Sequence, residues 1–116
     1  MSKLTTIQKI KLFAEDKVTT GEYDLAKFKK HLEENPAYAF EWSYEAFKAA
    51  ARIHVGKSLL YWTEKDEATA EKIIDFVKDM VLRGARYPER STSVQSNEMK
   101  REIISVYAEL LDVASR

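Results

Sequence analysis

The sequence contains no cysteine, and it is poor in glycine, proline and histidine. Among 116 residues there are three glycines, two prolines and two histidines. Without cysteine the chain has no disulfides, no thiolate zinc ligands and no cysteine nucleophile. The glycines at 21, 56 and 84 stand far apart, which excludes a glycine-rich phosphate-binding loop. Several common catalytic and cofactor-binding motifs are therefore absent from the sequence.

The sequence also lacks long apolar runs and an excess of charge of one sign. Lys plus Arg and Asp plus Glu each number 19, so the net charge is zero, unlike the basic excess of many nucleic-acid-binding proteins. Apolar runs such as residues 59–62 are far shorter than the roughly 20 residues that cross a bilayer, and the first residues lack the apolar core of a secretory signal. We therefore expect a cytoplasmic protein without membrane contact, folded as one domain over residues 1–116.

Helical periodicity of apolar residues extends over most of the chain. It predicts an all-α fold, a compact single-domain bundle of about five helices. Thr5 with Gln8 is a capping box that starts the first helix, and the stretch 19–21 ends it. A second helix follows and stops near Asn35, because Pro36 disfavours helical geometry in the residue before it. Asn35 and Pro36 also have the residue types that start the next helix.

The third segment, residues 36–62, is unusually aromatic. Alternation of aromatic and small residues near its start is typical of a strand, but over the whole segment the apolar residues follow helical spacing. A helix is favoured because the segment is long and rich in alanine, and Gly56 marks a place where it kinks or breaks. If the aromatic residues of this segment are buried, they form part of the core. If they are exposed, Tyr38 and Trp42 form a patch that anchors a partner.

The last two predicted helices follow Thr63 and Met99, respectively. Thr63 precedes Glu64, Asp66 and Glu67, acidic residues that favour a helix start. Gly84 and Pro88 indicate the end of the helix that follows Thr63. The stretch from 85 to 96 is rich in hydroxyl side chains and is predicted to be a loop, after which a helix runs nearly to the end of the chain.

Residues that carry catalysis or bind metals are scarce. The two histidines, His31 and His54, have no ligand-rich neighbourhood in the sequence, whereas a metal site needs three or four ligands. Neither a nucleophile motif nor a base with a recognisable partner is present. We therefore predict a protein that is not an enzyme, with no catalytic residues, no metal and no cofactor.

Basic residues are concentrated between positions 83 and 101, a stretch that contains five basic and two acidic residues. They bracket the hydroxyl-rich stretch, a combination suited to binding phosphate or carboxylate groups. The basic residues are Arg83, Arg86, Arg90, Lys100 and Arg101.

Two functions follow from these surfaces. In the first, the chain is a non-enzymatic protein-binding module, an adaptor, regulator or inhibitor of a larger protein. It docks through Tyr38 and Trp42, with Arg86 and Arg90 at the rim, and the same patch would suit a homodimer. In the alternative, the 83–101 region contacts nucleic-acid phosphates, and binding weakens steeply with salt. The neutral net charge favours the first function.

Overall fold

A computed structural model describes residues 4–65, 69–86 and 94–115, without the side chains of residues 38–42, 85–86 and 94–98. The described residues form helices and no strand. Helix α1 spans Thr6–Glu34, α2 spans Ala39–Thr63, α3 spans Ala70–Arg86 and α4 spans Val94–Ala114, with a short 3₁₀ turn at Pro36–Tyr38 before α2. The all-α fold predicted from the sequence is confirmed.

Helix α1 begins as predicted but continues through the stretch 19–21. At its start Thr5 accepts a hydrogen bond from the Gln8 amide, and the Gln8 side chain accepts one from the Thr5 amide. The predicted end at 19–21 was wrong. The Thr20 hydroxyl donates to the Asp16 carbonyl one turn back, at 2.8 Å, so the threonine is accommodated inside the helix. The first two predicted helices are therefore one helix of 29 residues.

Gly21 and Gly56 lie where α1 and α2 cross. A Cβ added at Gly21 would lie 2.7 Å from Ile53 Cγ1 and 3.0 Å from the Ala49 carbonyl oxygen. A Cβ added at Gly56 would lie 2.7 Å from the Ala14 carbonyl oxygen. Both glycines therefore permit close approach of the two backbones, and α2 runs through Gly56 without a break.

The boundary between α2 and α3 also differs from the prediction. Thr63 is the last residue of α2, and its hydroxyl donates to the Leu60 carbonyl at 2.9 Å. The residue that caps α3 is Thr69, whose hydroxyl accepts from the Lys72 amide at 3.2 Å. Gly84 does not end α3, because the helix continues to Arg86 and packs Gly84 against Ile104 of α4. Helix α4 begins at Val94, earlier than predicted.

The core lies between the first half of α1, the second half of α2, α3 and α4. Apolar side chains from all of these helices are buried against one another. Burial of such side chains contributes about 1.5–3 kcal/mol each relative to exposure. The buried residues are Ile10, Phe13, Ala14, Val55, Leu59, Ile73, Val77, Val106, Tyr107 and Leu110.

Two groups of charged residues join α1 to the other helices. Lys17 donates to both carboxylate oxygens of Glu109 on α4, at 3.0 and 3.1 Å, and its ammonium lies 5.1 Å from the centre of the Phe13 ring. Arg52 on α2 contacts Asp24 on α1 at 2.7 Å and Glu102 on α4 at 3.6 Å. These three residues, Arg52, Asp24 and Glu102, form the Arg52 cluster, which connects three helices and fixes their relative register.

The molecule is elongated, with extents of 50 × 35 × 24 Å and a radius of gyration of 15.8 Å, against about 13 Å for a compact domain of this length. Its long axis reflects α1, which at about 1.5 Å per residue is about 44 Å long. Beyond Gly21, α1 pairs with the first half of α2 as a helical hairpin. Within the described residues, no helix has the length and apolar character that crossing a bilayer requires.

Candidate functional site

Three aromatic side chains form an exposed surface where α2 ends beside α3. Trp62 follows Leu59 by three residues, so it lies on the same side of α2 but beyond the buried core. Tyr61 precedes it, and Phe76 projects from α3. Their side chains are 55% (Tyr61), 46% (Trp62) and 43% (Phe76) exposed. We call Tyr61, Trp62 and Phe76 the aromatic surface.

The rings of the aromatic surface contact one another in sequence and continue into the core. The ring centroids of Tyr61 and Trp62 lie 5.7 Å apart, with an interplanar angle of 79°. Those of Trp62 and Phe76 lie 6.5 Å apart, tilted by 40°. Phe76 packs edge to face on Tyr107, at 6.3 Å and 88°. Aromatic pairs with such geometry contribute about 0.5–1.5 kcal/mol beyond the area they bury. The surface is thus held in place before any partner binds.

Tyr107 supports the aromatic surface from below. It belongs to α4 and is only 4% exposed. Burial raises the pKa of the Tyr107 phenol, because the charged form loses its hydration. Phe76 therefore lies on a buried ring, and its own position is fixed by the core.

Lysines flank Tyr61, one on α2 and one just after the end of α2. The Lys65 ammonium lies 4.2 Å from the centre of the Tyr61 ring, a cation–π contact. Lys57 lies one turn before Tyr61 and is exposed. Among the described exposed side chains from His54 to Lys65, only Glu64 is acidic. The edge of the aromatic surface formed by α2 is therefore basic.

The side chains of the predicted anchors of the protein-binding function all lie outside the description. Tyr38 ends the 3₁₀ turn and Trp42 lies in the first turn of α2, but their side chains are not described. The side chain of Arg86 is likewise not described, and Arg90 lies in the segment 87–93, outside the description altogether. These four site residues stay predictions.

The predicted nucleic-acid site is described in part. Arg83 is exposed near the end of α3 and pairs with Asp79 at 3.0 Å. Lys100 and Arg101 are exposed in the first half of α4. The contact of Gly84 with Ile104 brings these parts of α3 and α4 together. Three of the five predicted residues therefore lie at the same end of the α3–α4 pair.

Among the described side chains, no group of three or more His, Cys, Asp or Glu residues is placed to hold a metal ion. His54 is exposed on α2, and His31 lies half-buried in the last turn of α1. The aromatic surface is therefore the feature of the described residues that most resembles a binding site.

Sequence reasoning did not identify the aromatic surface. The helical spacing of Trp62 from Leu59 predicts that it is buried with the apolar side of α2, because the sequence does not show where the core ends. A signal for Phe76 was available: the buried stripe of α3 consists of positions such as 73 and 77, and Phe76 falls outside it. An aromatic residue beside an apolar stripe is exposed unless another element covers it.

No protein-family model matches the sequence, and neither curated proteins nor solved structures include a significant match to it. The chain's own residues therefore carry the functional conclusions that follow.

Proposed function

We propose that this chain is a non-enzymatic protein-binding module that acts on a larger protein as an adaptor, regulator or inhibitor. The observation that carries the proposal is the aromatic surface. Trp and Tyr are enriched among the residues that contribute most of the affinity at protein interfaces. They present a large apolar face with few rotatable bonds, so little conformational entropy is lost on binding.

Preorganisation supports the same function. Trp62 is in contact with Phe76, and Phe76 with buried Tyr107, so a partner does not have to order these rings. Binding to a rigid surface avoids the entropic cost of about 0.5–1.5 kcal/mol per immobilised side chain. The surface is suited to be the centre of an interface whose polar rim excludes water.

A binding experiment with matched variants tests the proposal. Immobilised protein is used to recover partners from a lysate of the source cells, in parallel for the unsubstituted chain, Trp62→Ala and Tyr23→Ala. Tyr23 is a suitable control because it is 72% exposed on α1, away from the aromatic surface. We expect Tyr23→Ala to retain the partner and Trp62→Ala to lose it, with helical circular dichroism unchanged in both. A partner retained equally by Trp62→Ala contradicts the proposed docking surface.

The predicted anchors at the start of α2 enter the same experiment. If Trp42 anchors the partner, Trp42→Ala leaves the fold largely intact and abolishes binding. If Trp42 belongs to the core, the variant unfolds.

Nucleic-acid binding is the alternative function, supported by the exposed Arg83, Lys100 and Arg101 at one end of the α3–α4 pair. Its test is fluorescence anisotropy of labelled single- and double-stranded oligonucleotides at about 50 and about 200 mM salt, between which phosphate contacts lose most of their affinity. Micromolar binding that falls steeply with salt supports the alternative. Absence of binding at the lower salt concentration contradicts it.

A further inference from the structure

We infer that the aromatic surface binds an acidic amphipathic segment of the partner, with apolar side chains on Trp62 and Phe76 and carboxylates on Lys57 and Lys65. The inference rests on the proposed function and specifies the chemistry of the ligand. A helical segment is a suitable occupant because its residues at i, i+4 and i+7 present apolar anchors on one side and charges beside them.

The charge of the α2 edge carries the inference. Lys57 and Lys65 lie before and after Tyr61, and within the described part of the chain neither ammonium pairs with a carboxylate. By contrast, Lys17, Arg52 and Arg83 each bind a carboxylate of a neighbouring residue or helix. A partner carboxylate that meets Lys57 or Lys65 therefore displaces no ion pair formed within the described residues.

Two acidic residues follow this edge in the sequence. Asp66 and Glu67 lie outside the described residues. Because each places a negative charge next to Lys65 in the sequence, D66N and E67Q are expected to strengthen the binding of an acidic ligand, and more so at low salt.

A second copy of the chain is a poor occupant because the surface is small. Each ring carries about 150–250 Å², so the exposed fractions of the three rings total about 300 Å². Two copies meeting on this surface alone bury about 600 Å², whereas stable complexes bury about 1,200–2,000 Å². The basic edges of two copies would also repel each other.

A single-stranded nucleic acid also fits less well than a peptide. Bases stack on open ring faces, but the Lys65 ammonium already lies over the Tyr61 ring. The neighbouring rings are inclined to one another by 79° and 40°, so they do not form a continuous platform. A peptide side chain fits between inclined rings more readily than a planar base does.

The test uses fluorescein-labelled synthetic helical peptides that share the same Leu and Phe anchors and differ only in whether the polar positions are Glu, Gln or Lys. Anisotropy is measured on the full chain at about 50 and about 200 mM salt. We expect the Glu peptide to bind about tenfold more tightly than the Gln peptide at the lower salt, and the preference to shrink at the higher. K57Q with K65Q should remove the preference, K78Q on α3 should keep it, and W62A should abolish binding of the Glu and Gln peptides.

The other outcomes overturn the inference in distinguishable ways. Equal affinities for the Glu and Gln peptides, both lost in W62A, reject the acidic ligand but leave the protein-binding function intact. Binding of neither peptide rejects the inference, and the lysate experiment then decides the proposed function separately. A dimer that dissociates in W62A assigns the surface to a second copy. Salt-sensitive binding of oligothymidylate that is lost in W62A assigns it to a nucleic acid.

Discussion

The two ends of the molecule are packed in different ways. At the four-helix end, large side chains such as Leu59, Val77 and Leu110 are fully buried. At the hairpin end, formed by residues 22–34 of α1 and 39–49 of α2, the described large apolar side chains are at most half-buried and Ala49 is buried instead. The comparison teaches that the four-helix end depends on the volume of its buried side chains. The α1–α2 crossing beside the hairpin depends instead on residues that lack a side chain.

The largest expected effect tests this contrast directly. Leu59→Ala removes a fully buried side chain among four helices and should lower the free energy of unfolding by about 3 kcal/mol. Leu25→Ala at the hairpin end removes a half-buried side chain and should cost about 1 kcal/mol. Urea denaturation of both variants measures the difference. Equal costs would show that the hairpin end is packed as tightly as the four-helix end.

A glycine substitution at the crossing should have the next largest effect. Gly56→Ala places a methyl group 2.7 Å from the Ala14 carbonyl oxygen, and a backbone atom cannot rotate away. Although alanine favours the helix by about 1 kcal/mol, we expect a net loss of about 1–2 kcal/mol because the two helices must separate.

Gly84→Ala is the matched control for the crossing. Its added methyl group meets the side chain of Ile104, which can shift more readily than a backbone carbonyl, so the helix propensity gained offsets more of the overlap than at Gly56. Thermal unfolding of both variants distinguishes the two sites. If Gly56→Ala is as stable as the unsubstituted chain, close backbone approach is not what joins α1 to α2.

A smaller effect is expected from the Arg52 cluster, which ties the hairpin end to α4. Arg52→Met keeps most of the apolar stem but leaves Asp24 and Glu102 without their cation. The side chains are partly exposed, so solvent screens the effect and we expect a loss of about 1 kcal/mol that shrinks with added salt. Amide hydrogen exchange should rise at residues 22–34 more than at residues 6–18.

The surface pair of Lys30 with Glu34, 3.9 Å apart at the end of α1, provides the control. Lys30→Met should change the free energy of unfolding by no more than a few tenths of a kcal/mol. A loss as large as that of Arg52→Met would mean that an ion pair between helices contributes no more to stability than an ion pair within one helix.

The smallest effect is a pH dependence at the four-helix end. Burial raises the pKa of Tyr107 above the ordinary tyrosine value of 10.0, so above that pH the unfolded chain releases this proton while the folded chain keeps it. The unfolded state is then favoured, and stability falls as the pH rises from about 10 to the folded pKa. Tyr107→Phe should reduce this decline. Denaturation between pH 9 and about 11 measures it.

The sequence was sufficient for the fold class and for the boundaries with local chemistry. The capping box at Thr5 and the stop before Pro36 depend on neighbouring residues, and both were predicted correctly. The glycines were misjudged because a glycine that ends a helix and a glycine beneath a crossing helix have the same local sequence. What separates them is a partner helix that is distant along the chain.

The candidate site was harder to predict for a related reason. Periodicity shows which side of a helix is apolar, but it does not show how far the neighbouring helices extend. Trp62 continues the apolar side of α2 past the point where other helices cover it. Whether such a residue is exposed depends on how the helices pack together, and no local sequence pattern shows this.

The contact of Lys17 with Glu109 and the Phe13 ring has a chemical consequence. Its side chain is only 13% exposed, so acylating reagents and amine-reactive dyes reach it with difficulty. Exposed amines such as Lys57 and Lys65 react first, and labelling there modifies the edge of the aromatic surface itself. Probes and immobilisation chemistry for this protein are therefore better directed to an added thiol, which the cysteine-free sequence makes unique.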